Sequence, residues 1–141
     1  MLRSYMGNRR RGSAMLEGAL VALAFLAVLI GIFDVGQILL VRQTFVARVR
    51  SAVRYGAVHP DDIPGIRNIV LYGQTTTPAG SPPGILGLTP SMVMVSRNDA
   101  GTNEDRIVVS IVNYPYRLFS PWIAGPLAAA PVTATHPVEA P

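Results

Sequence analysis

From residue 18 to residue 41 the chain runs for 24 residues with Asp34 as its only charge and Gln37 as its only other strongly polar side chain. A helix of that length reaches about 36 Å at 1.5 Å per residue, enough to cross a hydrocarbon layer of about 30 Å with some tilt. The same run could be the core helix of a soluble domain, but residues 42–141 offer too little structure to cover a helix that is apolar on every face. The membrane-spanning reading is therefore preferred. A cleaved secretory signal is disfavoured because the apolar run continues well past Ala22-Leu23-Ala24, so release there would leave a hydrophobic new terminus.

The charge is distributed unevenly around this run. The 141 residues carry a formal charge of +4, with arginine supplying every cationic side chain apart from histidine. Residues 1–12 hold Arg3, Arg9, Arg10 and Arg11 and no acid, whereas residues 13–141 hold eight arginines and eight acids, so the whole excess lies in the first twelve residues. A basic chain invites a nucleic-acid reading, but the remainder is neutral, and Arg42, Arg48, Arg50 and Arg54 follow the span closely, where phospholipid competes for them. No nucleic-acid partner is expected. Arginines flank both ends of the span in equal number, and the compact Arg9 to Arg11 cluster on a short flank favours a cytoplasmic N-terminus and an exported remainder. With no cysteine there is no disulfide framework, thiolate nucleophile or cysteine-ligated zinc site. His59 and His136 are isolated, and no serine sits in a nucleophile context, so neither an enzyme nor a metal or other cofactor is expected.

At the junction of leader and span the chain reads Arg10-Arg11-Gly12-Ser13-Ala14-Met15-Leu16-Glu17. This resembles a class III signal, cut by prepilin peptidases on the cytoplasmic face. The resemblance implies a scissile bond at Gly12-Ser13 and places Glu17 fifth in the mature chain. Glycine lets a protease close on extended backbone, and the basic leader holds the bond in the cytosol. A carboxylate near a helix start is favoured by the dipole, yet at membrane depth it needs a partner. In pilin-like filaments the implied partner is the amino group that cleavage creates, on the same chain or its neighbour.

Gly31-Ile32-Phe33-Asp34-Val35-Gly36-Gln37 and Val49-Arg50-Ser51-Ala52-Val53-Arg54-Tyr55-Gly56-Ala57-Val58 extend the likeness. Over residues 9–58 the chain resembles the TadE family of minor pilins or pseudopilins of tight-adherence (Tad, or Flp) pilus systems. It has Gly18 where an aromatic is usual, Asp34 where glutamate is more frequent, and Val49 and Ser51 in place of an alanine and a glycine, which leaves the TadE, TadF-like and TadG-like branches open. The resemblance implies partnership with a prepilin peptidase, other pilins or pseudopilins, the inner-membrane assembly platform and membrane lipids. It implies a single-pass protein of the bacterial inner membrane with a periplasmic C-terminal domain, oligomeric in a filament or priming complex.

Helical spacing continues beyond the span, since Val41, Phe45, Val49, Ala52, Val53 and Gly56 share one face while Gln43, Arg50, Ser51 and Arg54 take the other. One helix is expected from about Ala14 to Tyr55, with Gly56 able to end it in a left-handed cap. Arg42 lies at the membrane exit, where it serves as an interfacial anchor. Asp34 either pairs with an arginine of an adjacent subunit or lies close enough to the outer interface to be solvated. Gly18, Gly31 and Gly36 would allow close helix approach, although their spacing does not match GxxxG.

The prolines and glycines of residues 57–91 predict loop, interrupted by a short helix over 64–72 capped by Asp61 or Asp62, with 75–83 as a surface loop. Residues 92–96 and 106–114 read as a β-hairpin around a solvated acidic turn at 98–105, and 132–136 as a third, edge strand. The connection 116–131, with Leu118, Phe119, Trp122 and Ile123, reads as hydrophobic cover, and Tyr114 and Tyr116 as core. The expected fold is α+β and pilin-like: a long N-terminal helix, its first half transmembrane, packed on a small antiparallel sheet of about three strands. The parts are a leader (1–12), a transmembrane helix (13–41), its amphipathic continuation (42–56), a loop-rich region (57–91) and a sheet region (92–141). The function expected is assembly of a Tad-type pilus by lateral helix packing after cleavage. The alternatives are a type II secretion or type IV pseudopilin, and an uncleaved single-span anchor whose exported domain binds an envelope partner.

Overall fold

The computed structural model describes residues 7–120, 125, 127–128 and 130–138, with the backbone alone for 7–12 and 128. Helix α1 spans Gly7–Val58 and α2 spans Ile63–Tyr72, followed by 3-10 turns at Ile85–Gly87 and Pro90–Met92. The strands are β1 (Val93–Asn98), β2 (Arg106–Ile111), β3 (Pro115–Tyr116), β4 (Leu127–Ala128) and β5 (Val132–Pro137). The class is α+β, as expected, with one long apolar helix and a three-stranded antiparallel sheet in the order β1-β2-β5. The central strand, β2, pairs Val109 with Val95 on one side and with Ala134 on the other. A second, two-residue ladder joins β3 to β4, where sequence predicted only a connection.

The described residues divide into two compact units, one of 7–37 with 118–120 and one of 38–117 with those described from 125 onward. In the second unit the buried stripe of α1 is the predicted one, Val41, Phe45, Val49, Ala52 and Val53. Spacings of four and three residues bring these side chains onto one face. They join Ile66, Ile69, Val70 and Leu71 of α2 and the inward-facing Ile107, Val109 and Ile111 of β2 in a single core. Every second residue of β2 points inward, the period of a sheet with one covered face.

α2 has the expected cap, and the structure selects between the two acids. The Asp62 carboxylate accepts the Gly65 N–H at 3.0 Å, and Pro64 occupies the first turn, where no backbone donor is required. Gly73 ends the helix in a left-handed conformation (φ 78°), its N–H donating to the Ile69 carbonyl at 2.9 Å. The Arg48 side chain occupies the space a Cβ would need there. This close approach and the positive φ both call for glycine.

Three boundaries depart from expectation. α1 is already helical at Gly7, where the described residues begin, seven residues before Ala14. At its other end α1 continues through Gly56 to Val58, and the His59 N–H still donates to the Tyr55 carbonyl at 2.9 Å. Gly56 is therefore no cap but a site of close approach: a Cβ there would come within 2.9 Å of Ile66 Cδ1 and 3.0 Å of Ile107 Cγ2. β2 ends at Ile111 instead of Tyr114, and Asn113 adopts φ 56°, a conformation that ends a strand and that asparagine tolerates.

Candidate processing and assembly segment

The unit holding residues 13–37 is built around an almost uncovered helix. Leu16, Leu20, Phe25, Val28, Ile32, Phe33 and Val35 all point outward with more than half their surface exposed. Gly18, Gly31 and Gly36 face open space, so their backbones are available for close approach. The helix is long and apolar enough to cross a membrane. These observations fit a single-pass membrane protein.

At its head, Gly12 and Ser13 lie within helical backbone, not the extended backbone expected of a scissile bond, and Ser13 is exposed. The backbone of Arg9, Arg10 and Arg11 is helical as well, and Arg3 lies outside the described residues. Glu17 is exposed and makes no hydrogen bond or ion pair among the described residues. Arg42 is also exposed, on the turn after Ile38.

Within the single chain Asp34 finds a partner that neither sequence alternative named. Only 4% of it is exposed, and no cation among the described residues pairs with it. Its Oδ1 accepts the Phe119 N–H at 2.8 Å and its Oδ2 accepts the Ser120 N–H at 2.9 Å. Charge-assisted bonds to two successive amides satisfy the carboxylate in place of an arginine. Phe33 meets the Phe119 ring edge to face at a centroid distance of 5.5 Å, and Phe119 stays 68% exposed. The predicted role of Phe119 as cover for the sheet is corrected accordingly, while Trp122 and Ile123 lie outside the described residues. No spacing rule in the sequence connects residue 34 to residue 119, so this pairing had no signal.

Residues 12–54 match the family model of TadE-like proteins. The resemblance read from residues 9–58 thus has independent support over most of its length. The TadE-like segment begins at Gly12 and takes in Glu17, Asp34, Arg42 and Arg54, and the family ties it to Tad pili. No curated protein and no solved structure matches the chain significantly.

Just beyond the TadE-like segment, Tyr55 shows what the aromatic of its second signature does. The Tyr55 hydroxyl donates to Asp62 Oδ2 at 2.8 Å, and its ring stacks on His59 at 4.6 Å, fastening the end of α1 to the start of α2. The Gly65 N–H, with the Tyr55 hydroxyl adding to it, holds the Asp62 carboxyl below the usual range against the opposing effect of burial. The same bond pushes the Tyr55 hydroxyl up. A second acid was misjudged from sequence. Asp105, expected in a solvated turn, is buried, and Arg97 grips it through Nε at 3.0 Å and Nη2 at 2.6 Å while reaching Asp61 through Nη1 at 2.9 Å. The Arg97 guanidinium holds the Asp105 carboxyl low, helped by the Gly101 N–H and opposed by burial.

Both carboxyls have a folded pKa depressed below the unfolded value of about 3.9. Their contribution is fully present above that value and disappears as pH falls through the folded pKa. Thermal unfolding of the full chain in detergent, followed by circular dichroism, is expected to shift to lower temperature as pH drops below about 4. Asp105→Asn should flatten this acid limb. An unchanged limb would remove Asp105 from the account.

Proposed function

We propose that the chain is a minor pilin or pseudopilin of a Tad-type pilus. A prepilin peptidase cuts Gly12-Ser13 at the cytoplasmic face of the inner membrane, and Ser13 becomes the first residue. The exposed apolar face of α1 then packs laterally on the helices of other pilins at the assembly platform, with the C-terminal domain in the periplasm and the subunit entering or priming the filament. The observation that carries this reading is the uncovered apolar helix beginning within a few residues of Gly12 and Glu17. A helix of that composition needs lipid or other helices around it.

The charges support the same sequence of events. Loss of residues 1–12 removes four arginines and leaves the side chains of 13–141 neutral, so the leader acts as a topology and processing signal. The helical backbone at Gly12-Ser13 must unwind to enter a protease, and glycine reduces that cost by about 1 kcal/mol relative to alanine. Ser13 at the first mature position, where type II secretion and type IV pseudopilins usually carry an aromatic, favours the Tad reading.

Co-expression with a Tad-system prepilin peptidase, followed by mass spectrometry of the N-terminus, tests the proposal. The expected mature chain starts at Ser13, and Gly12→Leu blocks its formation. Retention of residues 1–12 whatever stands at position 12 would favour the uncleaved anchor instead.

A further inference from the structure

Asp34 and the loop at 118–120 belong to the same compact unit as the apolar half of α1. Asp34 lies sixteen residues past Gly18, about 24 Å along a run of about 36 Å, and so in its outer third. Irregular backbone near such a depth needs its polar groups satisfied within the protein or kept at the watery edge of the bilayer. The Phe119 and Ser120 amides have one, the two oxygens of a carboxylate that is itself buried. The side chain beside those amides is no core residue: Phe119 is 68% exposed and its edge-to-face partner Phe33 is 61% exposed. Ile32 and Val35, also exposed, make the neighbouring faces of the helix apolar as well. Two of the loop's amides are thus satisfied within the protein while its phenyl ring stays exposed, an arrangement suited to the outer edge of the hydrocarbon layer.

We infer that residues 118–120 form a membrane-contacting loop, which places Phe119 in the outer leaflet beside α1 and uses Asp34 to satisfy its backbone there. The occupant of this face is lipid, because Phe119 packs on Phe33 of the apolar run, whose side chains are exposed along its length. Asp34 is a positioning residue in this arrangement, holding the loop to the helix through two amides. The inference rests on the membrane span and orientation proposed above, but on neither cleavage nor filament assembly.

The chain contains no cysteine, so single nitroxide labels can be placed without background. Ala24→Cys reports the span, Phe119→Cys the loop, and Thr102→Cys, in an exposed turn, the aqueous phase. The full chain is reconstituted, one copy per disc, in nanodiscs of phosphatidylethanolamine and phosphatidylglycerol. Collision with oxygen is then compared with collision with a water-soluble nickel chelate. The expected result is an oxygen-to-nickel ratio at 119 several-fold above that at 102 and closer to that at 24. Asp34→Leu should bring the ratio at 119 down toward the aqueous value without moving the ratio at 24, and Asp34→Asn, which keeps one carbonyl oxygen, should fall between. A ratio at 119 equal to that at 102, with 24 still protected, overturns the inference alone; loss of protection at 24 overturns the span with it. Protection at 119 that requires several chains per disc assigns the face to a second copy and overturns the lipid assignment. An Asp34→Leu chain with unchanged protection at 119 removes Asp34 from the role.

Discussion

Phe45→Ala is expected to lower the unfolding free energy of the sheet-bearing unit by about 3–5 kcal/mol, the range for removing a fully buried phenyl ring. Only 1% of Phe45 is exposed, and it packs edge to face on Tyr114 at a centroid distance of 4.7 Å. Tyr114 in turn meets Tyr116 at 5.3 Å and donates its hydroxyl to the Leu86 carbonyl at 2.8 Å. The variant therefore loses the transferred surface of the ring, leaves a cavity, and frees an aromatic neighbour that anchors the loop before β1. A unit of this size has about 5–15 kcal/mol in total, so the loss takes it near the threshold for folding. Denaturant unfolding of the full chain in detergent, read by near-ultraviolet circular dichroism of the tyrosines, measures the effect. Val21→Ala, on the exposed apolar face of α1, is the control and should leave the transition within about 0.5 kcal/mol. Equal midpoints for the two variants would mean that the stripe from Val41 to Val53 is not the seam of this core.

Glu17→Ala is expected to leave membrane insertion and cleavage at Gly12-Ser13 intact while reducing pilus number more than a hundredfold. In the single chain Glu17 is exposed and without a partner among the described residues, so it adds nothing to the fold that its removal could take away. Its carboxylate becomes costly only when the head of α1 is enclosed by other apolar helices, where a charge must be paired. Under the proposed cleavage, the amino group released at Ser13 would be the complementary charge, four residues away on its own chain or across the contact to a neighbour. Losing one member of an enclosed pair costs about 3–5 kcal/mol, which at about 1.4 kcal/mol per tenfold exceeds two orders of magnitude for each contact. Electron microscopy counts the filaments, and mass spectrometry of the same cells reads the N-terminus. Normal piliation would place the role of Glu17 elsewhere, and failed cleavage would move it to peptidase recognition.

What could be read in advance was whatever depends on local spacing. The stripe from Val41 to Val53, the hairpin of β1 and β2, the edge position of β5 and the carboxylate cap of α2 each follow from periods or turn chemistry within a few residues. Three misjudged features turn on a partner that only the fold brings in. Gly56 looks like a helix terminator until Ile66 and Ile107 are seen to press against it, and Asp105 looks like a solvated turn residue until Arg97 turns toward it. Phe119 looks like hydrophobic cover until its amide is found on Asp34 and its ring is seen exposed.

The sequence by itself determined that this chain carries one apolar helix able to span a bilayer, that its excess charge is confined to its first twelve residues, and that a small α+β unit follows. Hydropathy, charge and periodicity are sums over neighbouring residues, and no folded partner is needed to evaluate them. Only the tertiary structure decided the state of the single acid within the apolar run. Whether Asp34 is solvated, paired with a cation or bound to amides depends on which backbone reaches it, and the donors come from residues 119 and 120. A buried carboxylate takes its character from whichever donors the fold delivers to it.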